Sequence, residues 1–146
     1  MTIPKIAAAG LVATAAFAVA MVINISGNQV ANVSGDFRNA ATAEIRDAQG
    51  RVLLRGTLPP VTGDQDDVER QVTLTATPEG GQAAGTAEIE FSKAEPTTQE
   101  IEFEATGLPA RAIVTLVLDG KDVISAAADD KGRADAEFDV PIAPRR

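Results

Sequence analysis

The sequence predicts an all-β fold, a single antiparallel β-sandwich of about eight strands behind an N-terminal hydrophobic helix. Three observations carry this: apolar residues recur at every second position from Ala41 onward, Asp/Gly turn signals divide those runs, and no helical period appears beyond the first 23 residues. Strict alternation places one set of side chains on each face of a pleated strand, whereas a helix would scatter them around its circumference.

The first segment differs from the rest. Lys5 precedes an apolar run of eighteen residues, Ile6 to Ile23, interrupted only by Gly10 and Thr14. Such a run is a secretory signal peptide or an uncleaved signal anchor. Ala18-Val19-Ala20 fits the small-residue cleavage pattern before Met21, while continuation through Val22-Ile23 fits retention in the bilayer. Either outcome predicts an extracytoplasmic remainder: periplasmic, secreted, or membrane-anchored with the domain outside the cytoplasm. Residues 24–40 are polar and Gly/Asn/Ser-bearing and read as a linker; 41–142 form the β domain and 143–146 a tail.

Within the domain, strands are expected near 41–47, 51–58, 71–77, 85–92, 99–106, 112–118, 121–127 and 133–140. Glu100-Ile101-Glu102-Phe103-Glu104-Ala105 shows the alternation, with three carboxylates on one face. Ala112 to Leu118 is apolar on both faces and reads as the most buried strand. Phe91, Phe103 and Phe138 fall on inward faces and belong to the core. Asp119-Gly120 suits a two-residue type I′ hairpin, because both positions tolerate positive φ. Asp47-Ala48-Gln49-Gly50-Arg51 and Asp129-Asp130-Lys131-Gly132-Arg133 share one pattern, in which the Asp side chain caps the turn. Pro59 to Arg70 reads as a solvated loop. Short strands at this spacing suit a two-sheet sandwich, with a partly open barrel as the alternative.

Gly107-Leu108-Pro109-Ala110 lies between an alternating strand and the all-apolar one. Here the chain resembles fibronectin type III and related bacterial extracytoplasmic immunoglobulin-like domains, in which a Leu-Pro turn leads a strand into the opposite sheet. The resemblance covers about Glu100 to Ala127 and departs where those domains carry a corner Tyr, since Ile113 or Val114 stands there. It implies an immunoglobulin-like sandwich used for display, adhesion or spacing.

Composition limits the chemistry. The 146 residues include 13 Lys+Arg and 21 Asp+Glu, a net charge of −8, with no His, Cys, Trp or Tyr. That excludes His- or Cys-based nucleophilic catalysis and thiol redox chemistry. Nucleic acid is not an expected partner for an acidic chain with so few stacking side chains. Four Ser stand outside any nucleophile elbow. A carboxylate-dependent hydrolase would need a cleft with aromatic subsites. The expected function is therefore a non-catalytic structural or protein-interaction module, with membrane contact through an uncleaved leader.

Calcium is the one ion the residues suggest. If 85–92 and 99–106 form a hairpin, Glu90 is expected opposite Glu102 and Glu88 opposite Glu104, with Glu100 alongside. Like charges facing each other need an offset: Arg side chains, a divalent cation or a basic partner. Glu88, Glu90, Glu102 and Glu104 are thus candidate Ca²⁺ ligands, set against a simple solvated face. Asp64, Asp66 and Asp67 form a weaker candidate, lacking the glycine and distal Glu of a twelve-residue calcium loop.

Overall fold

The computed structural model describes residues 34–142, together with the strands Val22–Ile25 and Gln29–Asn32. The leader before Val22, with its expected cleavage site, and the 143–146 tail lie outside the described residues. The fold is all-β. Ten strands run in the order β1 (Val22–Ile25), β2 (Gln29–Asn32), β3 (Thr42–Asp47), β4 (Val52–Thr57), β5 (Asp67–Ala76), β6 (Ala84–Ser92), β7 (Thr98–Thr106), β8 (Ile113–Leu118), β9 (Lys121–Ala127) and β10 (Ala134–Pro141). Each expected strand of the domain is present.

All pairings are antiparallel, and the spatial order is β1-β2-β9-β8-β3-β4-β5-β6-β7-β10. The eight strands from β9 to β10 curl into a nearly closed barrel. Strand β5 makes the curl possible by serving two neighbours in succession. Asp67 to Leu74 pairs with β6, and Thr75 and Ala76 pair with β4. The remaining gap lies between β9 and β10, which are consecutive in the chain and joined by the Asp129 turn.

Inside is one core. Ile45, Leu54, Ile89, Ile101, Phe103 and Leu116 are among the side chains with no exposure. Phe138 is buried too, while Phe91 packs half-buried against the same cluster. In β8, Val114, Leu116, Val117 and Leu118 are buried, but Ile113 is 56% exposed. Val114, Leu116 and Leu118 belong to the core cluster, whereas Val117, paired with Glu44, is covered outside it. The register shift against Leu116 and Val117 places its extra residue, Val123, on β9, where Val123 and Ile124 are both buried.

The turns form as the sequence predicts. Asp119 (φ 48°) and Gly120 (φ 81°) make the type I′ hairpin. Asp47 Oδ1 accepts from the amides of Gln49 and Arg51, and Asp129 Oδ1 accepts from those of Lys131 and Arg133. The following glycines share one geometry, φ 82° at Gly50 and φ 79° at Gly132.

Two expectations are corrected. The first concerns the 24–40 linker: β1 and β2 lie within or across it, and its last part is packed into the domain. Phe37 and Ala40 are buried in the core. Gln99, itself 1% exposed, accepts from the Phe37 amide (2.9 Å) and donates to the Gly35 carbonyl (2.6 Å). Local polarity signals a linker, but two apolar residues and a buried amide clasp outweigh it, because the backbone groups of Gly35, Phe37, Arg38 and Ala40 find partners on burial.

The second concerns Arg70. It was expected to end a solvated loop, yet β5 begins at Asp67 and Arg70 is 3% exposed. Its guanidinium donates to the carbonyls of Pro59 (2.8 Å), Arg38 (2.7 Å) and Ala40 (2.7 Å). One planar fork with several donors satisfies three carbonyls that no strand pairs, which a Lys could not arrange.

Two substitutions test this fold. Phe103→Asp should destabilise the domain by at least about 3–5 kcal/mol, through a cavity and an unpaired buried charge. A cooperative melt like the parent's would refute the core assignment. Gly132→Ala and Gly50→Ala should differ although the turns match. A Cβ at Gly132 would collide with the Leu108 carbonyl oxygen, whereas nothing lies within 4 Å of one at Gly50. Denaturant titration should show a cost of about 1–2 kcal/mol at Gly50 and clearly more at Gly132.

Candidate functional site

Period-two alternation on a curled sheet sends every second side chain outward, so outward residues of neighbouring strands line up in rows across the sheet. On β5, β6, β7 and β10 these rows are acidic. Pairing aligns Glu69, Glu90, Glu100 and Asp139 in one row, and Gln71, Glu88, Glu102 and Glu137 in the next. A third row holds Thr73, Thr86, Glu104 and Asp135. Strands about 4.8 Å apart bring like charges close enough to repel.

The rows differ from the expected pairing by two residues. Glu88 faces Glu102 and Glu90 faces Glu100, while Glu104 faces Thr86. The physical reason is that a shift of two residues leaves every side chain on its face, so alternation specifies the face and not the register. The loop specifies the register: Phe91 pairs with Gln99, which centres the hairpin on Glu95, one residue before the Pro96 centre of the expected pairing.

Electrostatics follow from this placement. Partial burial, then the charges of Glu69 and Glu90, push the Glu88 carboxyl up to about 7. Burial raises Glu100, helped by Glu137, Glu90 and Asp139. Burial likewise raises Glu102, with Glu137 the main charged neighbour. Gln71 donates to Glu88 Oε2 at 3.1 Å. At one corner Arg133 lies 4.0 Å from Glu104 and 3.8 Å from Asp135. The ion pairs Arg38–Asp36, Arg46–Glu44, Arg51–Asp47 and Arg111–Asp130 all involve carboxylates outside these rows.

Of the candidate calcium ligands, Glu88 and Glu90 come together with Glu69, their carboxylate oxygens lying within 4.8 Å of one another. Glu69 is expected from the sequence in the acidic loop after Asp64-Gln65-Asp66-Asp67, because the strand is expected to begin at 71; β5 begins at Asp67 and carries Glu69 onto this face. Glu102 and Glu104 sit on the next strand, outside that trio. Asp64 and Asp66 are exposed in the loop before β5, where the Lys93 amide donates to the Asp66 carbonyl (2.7 Å) and Lys93 Nζ to the Gly63 carbonyl (3.0 Å). Asp67 is the first residue of β5 and pairs with Ser92.

Where the rows reach the β6–β7 turn, an open groove of about 480 Å³ forms. Six carboxylates line it: Asp67, Glu69, Glu90, Glu95, Glu100 and Asp139. Half-buried Val68 and Phe91 add apolar surface. The Arg38 guanidinium lies over the Phe91 ring, 5.9 Å from its centroid. Carboxylates beside an apolar wall suit a cation with a hydrocarbon stem.

No family model, curated protein or solved structure matches the chain.

The raised carboxyls set a pH dependence with a definite sign. Glu88, Glu100 and Glu102 favour their protonated form when folded, so their stabilising contribution is complete below about 4.5 and is lost as pH rises above it, for Glu88 through about 7. Asp47, Asp119 and Asp129 have carboxyls held below 3.8 by amide hydrogen bonds, and act in the opposite sense in more acidic solution. The melting temperature should therefore fall between about pH 5 and pH 8, and Glu88→Gln should recover about 1 kcal/mol at the upper end and little at the lower. A melting temperature that climbs over this interval counts against the repulsive face.

Proposed function

We propose that the chain is a non-catalytic β domain of the cell envelope that uses the outward face of β5, β6, β7 and β10 to hold a basic segment of a protein partner. The observation that supports this most is the alignment of carboxylates in successive rows with Arg133 at one corner. Such a face stores repulsion that a cationic ligand relieves. The groove beside Phe91 and Val68 adds room for Lys or Arg stems. Export is the reading of the Ile6 to Ile23 run, and the likeness to extracytoplasmic immunoglobulin-like domains points the same way. Gly107-Leu108-Pro109-Ala110 carries the chain from β7, on the acidic half of the sheet, to β8 on the other half. On this reading the barrel is a flattened sandwich whose halves meet at β5.

A second reading, calcium binding, is favoured by one observation, the approach of Glu69, Glu88 and Glu90. Hard oxygen donors are what Ca²⁺ takes, although a full shell needs 6–8 of them.

Titration with Lys- and Arg-rich peptides separates the two. Binding should weaken steeply between about 50 and 300 mM salt. It should drop about tenfold or more in Glu90→Gln/Glu100→Gln, whose melting temperature should not fall. Peptide affinity indifferent to salt and to that variant would overturn the basic-partner reading. Millimolar Ca²⁺ should raise the melting temperature, reversibly with chelator, only if the calcium reading holds.

A further inference from the structure

The two sides of the gap in the barrel are not alike. On one side β9 has β2 as its neighbour, through Gln29↔Ala126, Val30↔Ser125 and Ala31↔Ile124. On the other, among the described residues, β10 has β7 as its one hydrogen-bonded neighbour.

Which backbone groups β10 turns to the gap follows from a bond just beyond its end. The Ile142 amide donates to the Thr97 carbonyl (2.9 Å), continuing the register Pro141↔Thr98. In an antiparallel pair, opposed residues that exchange hydrogen bonds alternate with opposed residues that do not. Ala134, Ala136, Phe138 and Val140 therefore spend their amides and carbonyls on β7, and the residues between them direct theirs away from it. Pro141 agrees with this: having no amide to give, it stands at an edge-facing position, and its carbonyl accepts from the Gly35 amide (3.4 Å) of the strap. Between that bond and the Asp129 turn, exposed Glu137 and Asp139 each turn an amide and a carbonyl to the gap.

Charge decides what fits there. The outward side chains of β10 end the acidic rows, Asp139 after Glu90 and Glu100, Glu137 after Glu88 and Glu102, Asp135 after Glu104. A strand added at this edge sets its own outward side chains about 4.8 Å further along the same rows. Acidic residues at those positions extend the repulsion, whereas Lys or Arg relieve it. A second copy of β10 would set carboxylates against carboxylates, so the edge is guarded against self-pairing. On the other face of the added strand, side chains border the core beside Ala136 and Phe138, which suits apolar residues.

We propose that the β10 edge at Glu137 and Asp139 takes an extended segment of a protein partner as an added strand, in which Lys or Arg alternates with apolar residues. The proposal deepens the basic-partner reading and rests on it: main-chain hydrogen bonds to the edge fix the register, and the ends of the acidic rows select the cations.

The experiment uses the full chain and the synthetic peptide Lys-Val-Lys-Val-Lys-Val-Lys, with binding followed by titration and amide exchange read residue by residue by NMR. Saturating peptide should slow exchange at Glu137 and Asp139 about tenfold or more. The same peptide N-methylated at its two inner lysines keeps every charge but loses the amides that face the edge, and should bind about tenfold or more weakly. Salt-dependent binding that leaves either readout unmoved overturns the strand addition and leaves the basic-partner reading standing. No binding of the unmethylated peptide, even at low salt, overturns both. Protection of Glu137 and Asp139 that rises with protein concentration in the absence of peptide identifies a second copy as the occupant and overturns the basic strand.

Discussion

Everything in this domain depends on one constraint: the inward side chains of eight strands must share a single core inside a sheet that almost meets itself. Ile45, Leu54, Ile89, Ile101, Phe103, Leu116 and Phe138 come from β3, β4, β6, β7, β8 and β10 and occupy the same interior. No disulfide is present to help, as the chain has no Cys. Burial of this kind contributes about 1.5–3 kcal/mol per large side chain, enough to offset the ordering of short strands only because all of them bury against one another. With half of each strand committed inward, the other half is free of packing demands. That freedom is what lets the outward face of β5, β6, β7 and β10 become so acidic without loss of the fold.

The polar residues inside serve closure. Arg70 and Gln99 are the buried polar side chains among the described residues; Gln99 spends its hydrogen bonds on backbone groups of the strap at 35–40, and Arg70 divides its own between that strap and the Pro59 carbonyl. Asp119 does the same from the β8–β9 turn, accepting from the amides of Ala41 and Thr42, each at 2.9 Å. A strap with no strand partner would leave buried amides and carbonyls unpaired, so side chains take the role that a neighbouring strand plays elsewhere. Desolvation lowers the Arg70 pKa, with the Asp119 charge opposing, which is the cost of placing a cation where its acceptors are carbonyls.

The outward face shows the complementary logic. Glu88, Glu100 and Glu102 are partly buried by their neighbours and surrounded by like charge, so each resists ionisation. A merely solvated exterior would intersperse both signs to avoid this. Here the cations go mainly to turns and to the strap: Arg51 with Asp47, Arg111 with Asp130, Arg38 with Asp36. The separation of signs is therefore a property of the whole surface, and it gives the domain a side that attracts cations over a range set by salt.

Strand identity, inward and outward faces, the Asp119-Gly120 hairpin and the paired Asp-capped turns were all legible in the chain, because each depends on residues a few positions apart. Alternation assigns faces, and turn chemistry assigns bends, without reference to the rest of the molecule. The face carrying Glu88, Glu90, Glu102 and Glu104 was legible for the same reason. Its partners were not: Glu69, Glu137 and Asp139 join it through pairings between distant segments. The row register depended on how the β6–β7 loop closes, since a slip of two residues leaves the pattern unchanged. Burial of Phe37 and Arg70 could only be decided in three dimensions, where unpaired carbonyls of the strap met a guanidinium from β5. Local physics determined what each segment is; which segments become neighbours, and hence where charge accumulates, was settled by closing one sheet around one core.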